Sequence, residues 1–261
     1  MKLTFYKYQG TGNDFVMVDN RDLEISKNDT KLINRLCDRK FGIGADGLIL
    51  LENSEDPEDD FKMVYFNADG KESSMCGNGG RCLVAFAKFL GIIKSTARFT
   101  AVDGVHDATI QEGLVSLKMQ DVKNVFQNEE FLFLDTGSPH HVIFSEGLGN
   151  KNVKKEGSEI RYSSRYGKAG TNVNFVEKTS SGSFSVRTYE RGVEDETLSC
   201  GTGVTAVAIA SYESGKTTSE NVKLLTPGGE LSVTFKKTAD GYSDIWLSGP
   251  AMLVFKGEIQ C

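Results

Sequence analysis

The chain has 261 residues, of which 39% are hydrophobic and 25% charged, values typical of a globular protein with one large domain or two smaller ones. Its net charge is -6 and its Lys and Arg residues are scattered among acids, which argues against a surface that binds nucleic-acid phosphates. No apolar run at the start has signal-peptide length, and residues 82–93 are too few to span a bilayer. We therefore expect a cytoplasmic protein with neither a membrane nor a nucleic acid as partner.

Hydrophobic periodicity predicts many short strands and a few helices, separated by turn residues. In chain order the predicted elements are a helix at 31–40, a strand at 61–67, a helix at 81–90, a strand at 114–118, a strand at 182–190, a helix at 204–212, and strands at 221–225, 231–235 and 244–247. The polar stretch 120–130 is the predicted domain boundary. It divides the chain into an N-terminal domain, 1–121, and a C-terminal domain, 122–249.

A repeated pattern links the two halves of the chain. In the first half a strand ends at Asn67, and Cys76 follows nine residues later in a Gly-rich turn that precedes a helix. In the second half a strand ends at Glu190, and Cys200 follows ten residues later in a similar turn before a helix. Such a repeat predicts two copies of one strand–loop–helix unit.

Two further features of the sequence are interpreted in terms of the repeat. Asn13, in Gly12-Asn13-Asp14-Phe15, is matched with Asn172, in Thr171-Asn172-Val173-Asn174-Phe175. The helix at 31–40 is interpreted as an extra element of the first half, which accounts for the unequal spacing. Together these matches predict that both Cys-Gly-X-Gly turns contribute to one cleft.

A cysteine at the start of a helix is suited to proton transfer. The first N–H groups of a helix have no intrahelical acceptor, and they and the helix dipole favour negative charge there. We therefore expect the thiol pKa values of Cys76 and Cys200 to fall from about 8.5 toward neutrality. The same N–H groups can bind a carboxylate. Epimerisation of an amino acid needs a base and an acid on opposite faces of one carbon, and a thiolate with a thiol meets that need.

The remaining cysteines have simpler interpretations. Cys37 and Cys82 lie within predicted helices and are expected to be buried apolar side chains, and Cys261 is terminal. An odd number of cysteines, five in all, argues against a disulfide framework.

Several segments closely resemble the diaminopimelate epimerase family, from the beginning of the chain almost to its end. They are Gly10-Thr11-Gly12-Asn13-Asp14-Phe15, Phe66-Asn67-Ala68-Asp69-Gly70, Met75-Cys76-Gly77-Asn78-Gly79-Gly80-Arg81-Cys82, Tyr189-Glu190-Arg191-Gly192, Cys200-Gly201-Thr202-Gly203 and Pro227-Gly228-Gly229. The resemblance implies conversion of LL-2,6-diaminopimelate to the meso isomer, for lysine and peptidoglycan synthesis, without pyridoxal phosphate or metal.

The resemblance also implies a fold and a partner. The fold is α/β, with two similar pseudo-symmetric domains, each a barrel-like sheet around a central helix, and an active site in the cleft between them. The last strand is expected to return to the first domain, so that 250–261 belong with it. The family suggests a homodimer.

Carried over residue by residue, the resemblance assigns a site. It makes Cys76 and Cys200 the acid–base pair, and it gives His140 and Glu190 a part in setting their pKa values. The substrate-binding residues are Asn13, Asn67, Gly77, Asn78, Asn172, Glu190, Arg191, Gly201 and Thr202. Of these, Glu190 and Arg191 suit the ammonium and carboxylate of the second α-centre.

Two positions depart from the commoner family pattern. Gly47 stands where many members have glutamine, and Ser138 stands where many have asparagine. Both family positions are expected to contact substrate, so these departures bear on recognition of the distal centre.

Three alternatives remain at this point. A cysteine hydrolase would pair one cysteine with His140, but the duplicated cysteine argues against it. A zinc module is poorly supported, because Cys76 and Cys82 are six residues apart and no Cys-X-X-Cys occurs. A proline racemase or hydroxyproline epimerase would share the paired cysteines. Glu190 and Arg191 favour the substrate with a second charged centre.

Overall fold

The computed structural model describes residues 2–73 and 75–261; Met1 and Ser74 lie outside the described residues. The chain forms two compact units, which are described separately below. Unit 1 comprises Met1–Leu117 and Gly249–Cys261, and unit 2 comprises Lys118–Ser248.

Unit 1 alternates strands with two helices. Its elements are β1 (Lys2–Gly10), β2 (Asn13–Asp19), α1 (Thr30–Cys37), β3 (Gly47–Glu52), β4 (Phe61–Asn67), α2 (Gly77–Phe89), β5 (Thr96–Ala101), β6 (Gly104–Gln111) and β7 (Leu114–Lys118). The neighbouring pairs β1–β2, β3–β4, β5–β6 and β6–β7 are antiparallel, whereas β2–β3 and β4–β5 are parallel. The parallel pairs need crossover connections, which α1 and α2 supply.

Unit 2 has the same order of elements, with one strand ahead of them and one short strand inserted before its second α-helix. Its elements are β8 (Val125–Gln127), β9 (Leu132–Asp135), β10 (Pro139–Phe144), α3 (Val153–Arg161), β11 (Asn172–Ser180), β12 (Ser183–Glu190), β13 (Asp195–Thr197), α4 (Gly201–Glu213), β14 (Asn221–Thr226), β15 (Gly229–Thr238) and β16 (Gly241–Pro250). Here β10–β11 and β12–β14 are parallel, and α3 and α4 are their crossover helices.

The two edge strands β8 and β17 (Met252–Gln260) hold equivalent places in their units. β17 pairs antiparallel with β1 of unit 1, from Lys2 opposite Gln260 to Gln9 opposite Met252. β8 pairs antiparallel with β9 of unit 2.

The repeat therefore includes a helix that the sequence analysis assigned to the first half alone. That prediction was wrong, because α3 occupies in unit 2 the place that α1 occupies in unit 1. The α3 sequence contains Gly157, which weakens a helical pattern. The glycine is required by packing, since a Cβ there would lie 2.4 Å from Cβ of Tyr189.

The strand register also corrects the match between Asn13 and Asn172. Asn13 begins β2, whose counterpart is β10, and Asn172 begins β11, whose counterpart is β3. Phe15 pairs with Gly47 across β2–β3, and His140 pairs with Asn172 across β10–β11. The unit 1 counterpart of Asn172 is therefore Gly47. The other matched positions, Asn67 and Glu190, end the equivalent strands β4 and β12.

The helices α2 and α4 are the buried centres of their units. Helix α2 packs into an apolar cluster built from β1 to β7, and α4 packs into the corresponding cluster of unit 2. Small residues allow this close packing: a Cβ at Gly79 would lie 2.9 Å from Cδ1 of Ile49. Both helices begin earlier than the periodicity predicted, at Gly77 and Gly201, because tertiary burial stabilises glycine-rich first turns that propensity alone disfavours.

No helix in the described part of the chain is both long enough and apolar enough to cross a membrane.

Candidate active site

Cys76 and Cys200 are the N-cap residues of the two buried helices. Both have extended backbones, and the first intrahelical bonds run from the Gly80 N–H to the Cys76 carbonyl, 2.8 Å, and from the Val204 N–H to the Cys200 carbonyl, 3.0 Å. Residues earlier than Gly80 and Val204 cannot bond their N–H groups within the helix. Each cysteine therefore lies beside a group of backbone donors that favour an anion.

The site in unit 1 joins β2 to the start of α2. The Cys76 thiol donates to Oδ1 of Asn13 at 3.5 Å, and the Asn78 carboxamide donates to the same oxygen at 3.4 Å. Asn13 in turn donates to the carboxylate of Asp46, which fixes the orientation of its carboxamide. The structure thus brings together Asn13, Cys76 and Asn78, with Gly77 between the last two along the chain.

Asn67 and Gly47 lie opposite each other at the ends of β4 and β3. Asn67 is exposed, and within the described part of unit 1 its side chain makes no hydrogen bond to Asn13, Cys76 or Asn78. A Cβ at Gly47 would lie 2.5 Å from the Phe66 carbonyl oxygen and 2.5 Å from Cε2 of Tyr65. The Tyr65 ring fills the space that a longer residue at position 47 would require.

The site in unit 2 is a chain of hydrogen bonds that leads from β12 to Cys200. The Thr188 hydroxyl donates to Oδ1 of Asn174 at 3.0 Å, and the Asn174 amide lies 3.1 Å from Nδ1 of His140. Nε2 of His140 lies 2.9 Å from Oγ1 of Thr202, which is 3.5 Å from the Cys200 sulfur. His140 is fully buried.

This network fixes the tautomer of His140. Burial, together with the charge of Arg191, lowers the pKa of His140 to about 3, so the ring is neutral near pH 7. Because the Asn174 amide can only donate, Nδ1 accepts and Nε2 carries the hydrogen that is donated to Thr202. The Thr202 hydroxyl keeps one hydrogen and one lone pair. It can therefore accept from a Cys200 thiol and donate to a Cys200 thiolate.

A second cluster in unit 2 gathers Ser138, Asn172 and Arg191. The Asn172 amide donates to the Ser138 hydroxyl at 2.9 Å, and its oxygen accepts from the Arg191 backbone at 2.9 Å. The Arg191 guanidinium donates to the Ser138 hydroxyl at 3.4 Å and to the Ala169 carbonyl at 3.1 Å. Ser138, a departure from the commoner pattern, thus orients two of the predicted substrate-binding residues.

Glu190 precedes this cluster at the end of β12 and is half-buried. Burial raises the pKa of its carboxyl group above the usual range, while a hydrogen bond of 2.9 Å from the Thr197 hydroxyl acts in the opposite direction. A half-buried carboxylate that accepts from a neutral hydroxyl is suited to a cationic group of a ligand.

Sequence reasoning missed two buried polar residues that support these clusters. Asn174 orients His140, and Gly203 must be glycine beside it, because a Cβ there would lie 2.6 Å from Oδ1 of Asn174. Arg81 is fully buried in the second turn of α2 and donates to Asn78. The signal available for Arg81 was a charged residue near the start of a helix whose other early residues, apart from Asn78, are small or apolar.

Among residues 2–73 and 75–261, no group of three or more His, Cys, Asp or Glu side chains is arranged to hold a metal ion.

Comparison with known proteins decides the family. The family model for diaminopimelate epimerase matches residues 5–124 and 132–254, so it covers most of both units. The chain belongs to the diaminopimelate epimerase family. Among relatives, the diaminopimelate epimerase of Flavobacterium psychrophilum is 59% identical over 260 residues, covering 99% of this chain and 100% of that protein. The enzyme of Aquifex aeolicus is 41% identical, covering 98% of each chain.

Solved structures share the fold at low identity. A phenazine biosynthesis protein of the PhzF family from Bacillus anthracis superposes with a TM-score of 0.79 at 13% identity, covering 100% of both chains. A hydroxyproline epimerase from Agrobacterium vitis gives 0.67 at 12% identity, covering 99% of this chain and 92% of that one. The predictions of the family, of an isomerase, and of an α/β fold with two similar units are confirmed.

Proposed function

We propose that the chain interconverts LL- and meso-2,6-diaminopimelate by two-base proton transfer between Cys76 and Cys200, as a step toward lysine and peptidoglycan precursors. The observation that carries the proposal is the duplication itself: each unit places one thiol as the N-cap of its buried helix. One thiolate removes the α-proton and the other thiol returns a proton to the opposite face. Because the two residues are alike, the roles exchange when the reaction runs backward.

The helix starts bind the carboxylate of the reacting centre. The donors are the backbone N–H groups of Gly77 and Asn78 in unit 1 and of Gly201 and Thr202 in unit 2. They can donate to the carboxylate of the substrate, and the helix dipole favours its negative charge. These donors also stabilise the charge that develops on the carboxylate when the α-proton leaves. Asn13 holds Asn78 and Cys76 in their positions.

The distal centre is recognised by charge. The Arg191 guanidinium uses two of its N–H groups on Ala169 and Ser138, and its remaining donors suit a carboxylate. Glu190 accepts from the distal ammonium, and Asn67 and Asn172 contribute neutral hydrogen bonds. His140 sets the pKa of Cys200 through Thr202, and Glu190 adds a negative charge that acts on the same pKa.

The experiment that tests this function measures α-proton exchange in deuterated water with the purified, reduced protein. We expect exchange and epimerisation with LL-2,6-diaminopimelate, and neither with proline nor with hydroxyproline, because these lack the second charged centre. Exchange with proline or hydroxyproline but not with diaminopimelate would overturn the substrate assignment while leaving the thiol pair intact.

We also propose a homodimer that forms through β17. This strand exposes four successive apolar side chains: Met252 at 56%, Leu253 at 39%, Val254 at 56% and Phe255 at 46% of their full accessibility. Such an apolar strand at a sheet edge is a typical protein interface, and a second copy of the chain offers a matching surface.

Val254→Asp is expected to raise the dimer dissociation constant at least about tenfold, because it places a carboxylate in the apolar interface. Sedimentation equilibrium measures the change. The matched control is Val102→Asp, at another strongly exposed valine, 64% accessible, in the turn between β5 and β6. Equal dissociation constants for both variants would contradict an interface at β17.

We further propose that residues 1–121 and 250–261 form one domain and that residues 122–249 form the other. The two compact units support this division. A cytoplasmic location stays a prediction.

A further inference from the structure

Arg81 is a buried cation for which the described part of unit 1 offers no carboxylate partner. Its side chain is fully buried, and its hydrogen-bond acceptors are the Thr11 hydroxyl at 3.0 Å, the Asn78 carboxamide oxygen at 3.1 Å and the Gly77 carbonyl at 3.5 Å. All three acceptors are neutral. Among the residues that the structure describes, its Nε–H has no hydrogen-bond partner. A buried charge without a counter-ion is costly, so a structure that keeps one is expected to supply an anion when it functions.

The acids and thiols of unit 1 narrow the identity of that anion. Asp14 and Asp46 are occupied by other cations, Lys7 and Arg39 for Asp14 and Arg39 for Asp46. Burial raises the pKa of Cys82 to about 12, and it raises the pKa of Tyr8 as well, so both remain neutral. Within the described part of unit 1, the candidates that remain are the thiolate of Cys76 and a carboxylate bound at the start of α2.

The surroundings of Cys76 indicate how Arg81 affects the protonation state of its sulfur. Asn13 presents its oxygen to the thiol, an arrangement that favours the protonated sulfur. Arg81, five residues further along the chain, supplies a positive charge that favours the thiolate of Cys76 and so acts against the effect of Asn13. Electrostatic attraction between Arg81 and an ionised Cys76 opposes the loss of charge that burial imposes on the guanidinium, whose pKa is lowered by burial.

Unit 2 has no such charge at the equivalent position. The fifth residue after Cys200 is Thr205, which donates to the Gly201 carbonyl at 2.9 Å. Cys200 instead contacts the Thr202 hydroxyl, which is polarised by a neutral histidine. The contacts described for the two thiols thus differ: a positive charge acts on Cys76, whereas a neutral hydrogen-bond chain leads to Cys200.

We propose that Arg81 is a positioning residue of the unit 1 site, whose buried guanidinium orients Asn78 and stabilises both the Cys76 thiolate and a carboxylate bound at the start of α2. The part concerning a bound carboxylate rests on the proposed function. The part concerning the thiolate does not, because it is a property of the protein without substrate.

The test titrates Cys76 by its rate of alkylation with iodoacetamide as a function of pH, with the modified peptide quantified by mass spectrometry. In Arg81→Met the midpoint for Cys76 is expected to rise by about one pH unit or more, because an opposite charge is removed. The matched control is Lys88→Met, which removes an exposed cation from the last turn of α2 and should leave the midpoint in place. An unchanged midpoint in folded Arg81→Met would overturn the proposal.

Arg81→Lys tests the effect of the charge separately from the orientation of Asn78. It also tests the proposal if Arg81→Met fails to fold. Lysine keeps the charge but cannot donate through a planar fork to both Thr11 and Asn78. We expect a midpoint near that of the wild type, with kcat/KM for diaminopimelate at least about tenfold lower. A midpoint raised by a full unit with the charge retained, or full kcat/KM, would contradict the proposal. If the wild type fails to epimerise diaminopimelate but Arg81→Met still moves the midpoint, the substrate assignment fails and the role of Arg81 in ionising Cys76 stands.

Discussion

Replacing either Cys76 or Cys200 by alanine is expected to lower kcat/KM for epimerisation by about 10²- to 10⁴-fold, the range attributed to a positioned acid or base. Both losses should be of similar size, because inversion needs one thiol to remove the proton and the other to return it. Each variant keeps the backbone N–H groups of both helix starts, so binding of the carboxylate is expected to be retained. The measurement is the initial rate of meso formation from the LL isomer and of the reverse reaction.

The single variants should also differ in a way that only a two-base mechanism predicts. Each remaining thiol can exchange the α-proton of the isomer whose proton it removes, without inverting it, so the two variants should exchange opposite isomers. The control is Cys37→Ala: burial raises the pKa of Cys37 to about 12, so it cannot serve as a base near neutral pH. Turnover in Cys200→Ala at the wild-type rate would exclude the pairing.

Thr202→Val should give the next largest loss, about 10- to 100-fold in kcat/KM, as expected for a hydrogen bond to a charged group. Valine has nearly the same shape but cannot donate to the Cys200 thiolate, nor accept from Nε2 of His140. The pH profile should change with it, because the limb that reports ionisation of Cys200 moves to higher pH. The unpaired Nε2–H should also lower the free energy of unfolding by about 1–3 kcal/mol, measured by chemical denaturation.

Thr202→Ser is the matched control, because serine restores the hydroxyl between His140 and Cys200. It should recover most of the activity and the wild-type pH profile. A Thr202→Val variant with an unshifted profile and more than half of the wild-type kcat/KM would show that the hydroxyl does not support the thiolate.

The duplicated features closest to the chemistry could be predicted from sequence because they are local. A Gly-rich turn followed by an apolar helix predicted that Cys76 and Cys200 lie at helix starts, although the helices themselves were predicted to begin later, at 81 and 204. The strand ends at Asn67 and Glu190 were recognised for the same reason.

The parts that sequence could not predict depend on contacts between distant residues. Helix α3 was missed because Gly157 interrupts its pattern, and the reason for that glycine is its packing against Tyr189. Asn13 and Asn172 were matched because short motifs looked alike, whereas strand pairing places Asn172 opposite His140 and makes Gly47 its counterpart.

The residues that orient the site residues by hydrogen bonds were the hardest to predict from the sequence. Asn174 and Arg81 act through partners that the chain order does not reveal, such as His140, 34 residues from Asn174, and Thr11, 70 residues from Arg81. A buried polar side chain has a functional meaning only when its acceptors and donors are known.

The central claim is that two monoprotic thiols transfer protons to opposite faces of one carbon. It is tested most directly by the isotope content of substrate and product when LL-2,6-diaminopimelate is converted in deuterated water to a few per cent completion. A thiolate that removes a proton and a deuterated thiol that delivers a deuteron predict a meso product that carries deuterium at the inverted carbon, while the unreacted LL substrate carries almost none. A product that retains the hydrogen of its substrate, or substrate and product labelled to the same extent from the start, would contradict the account.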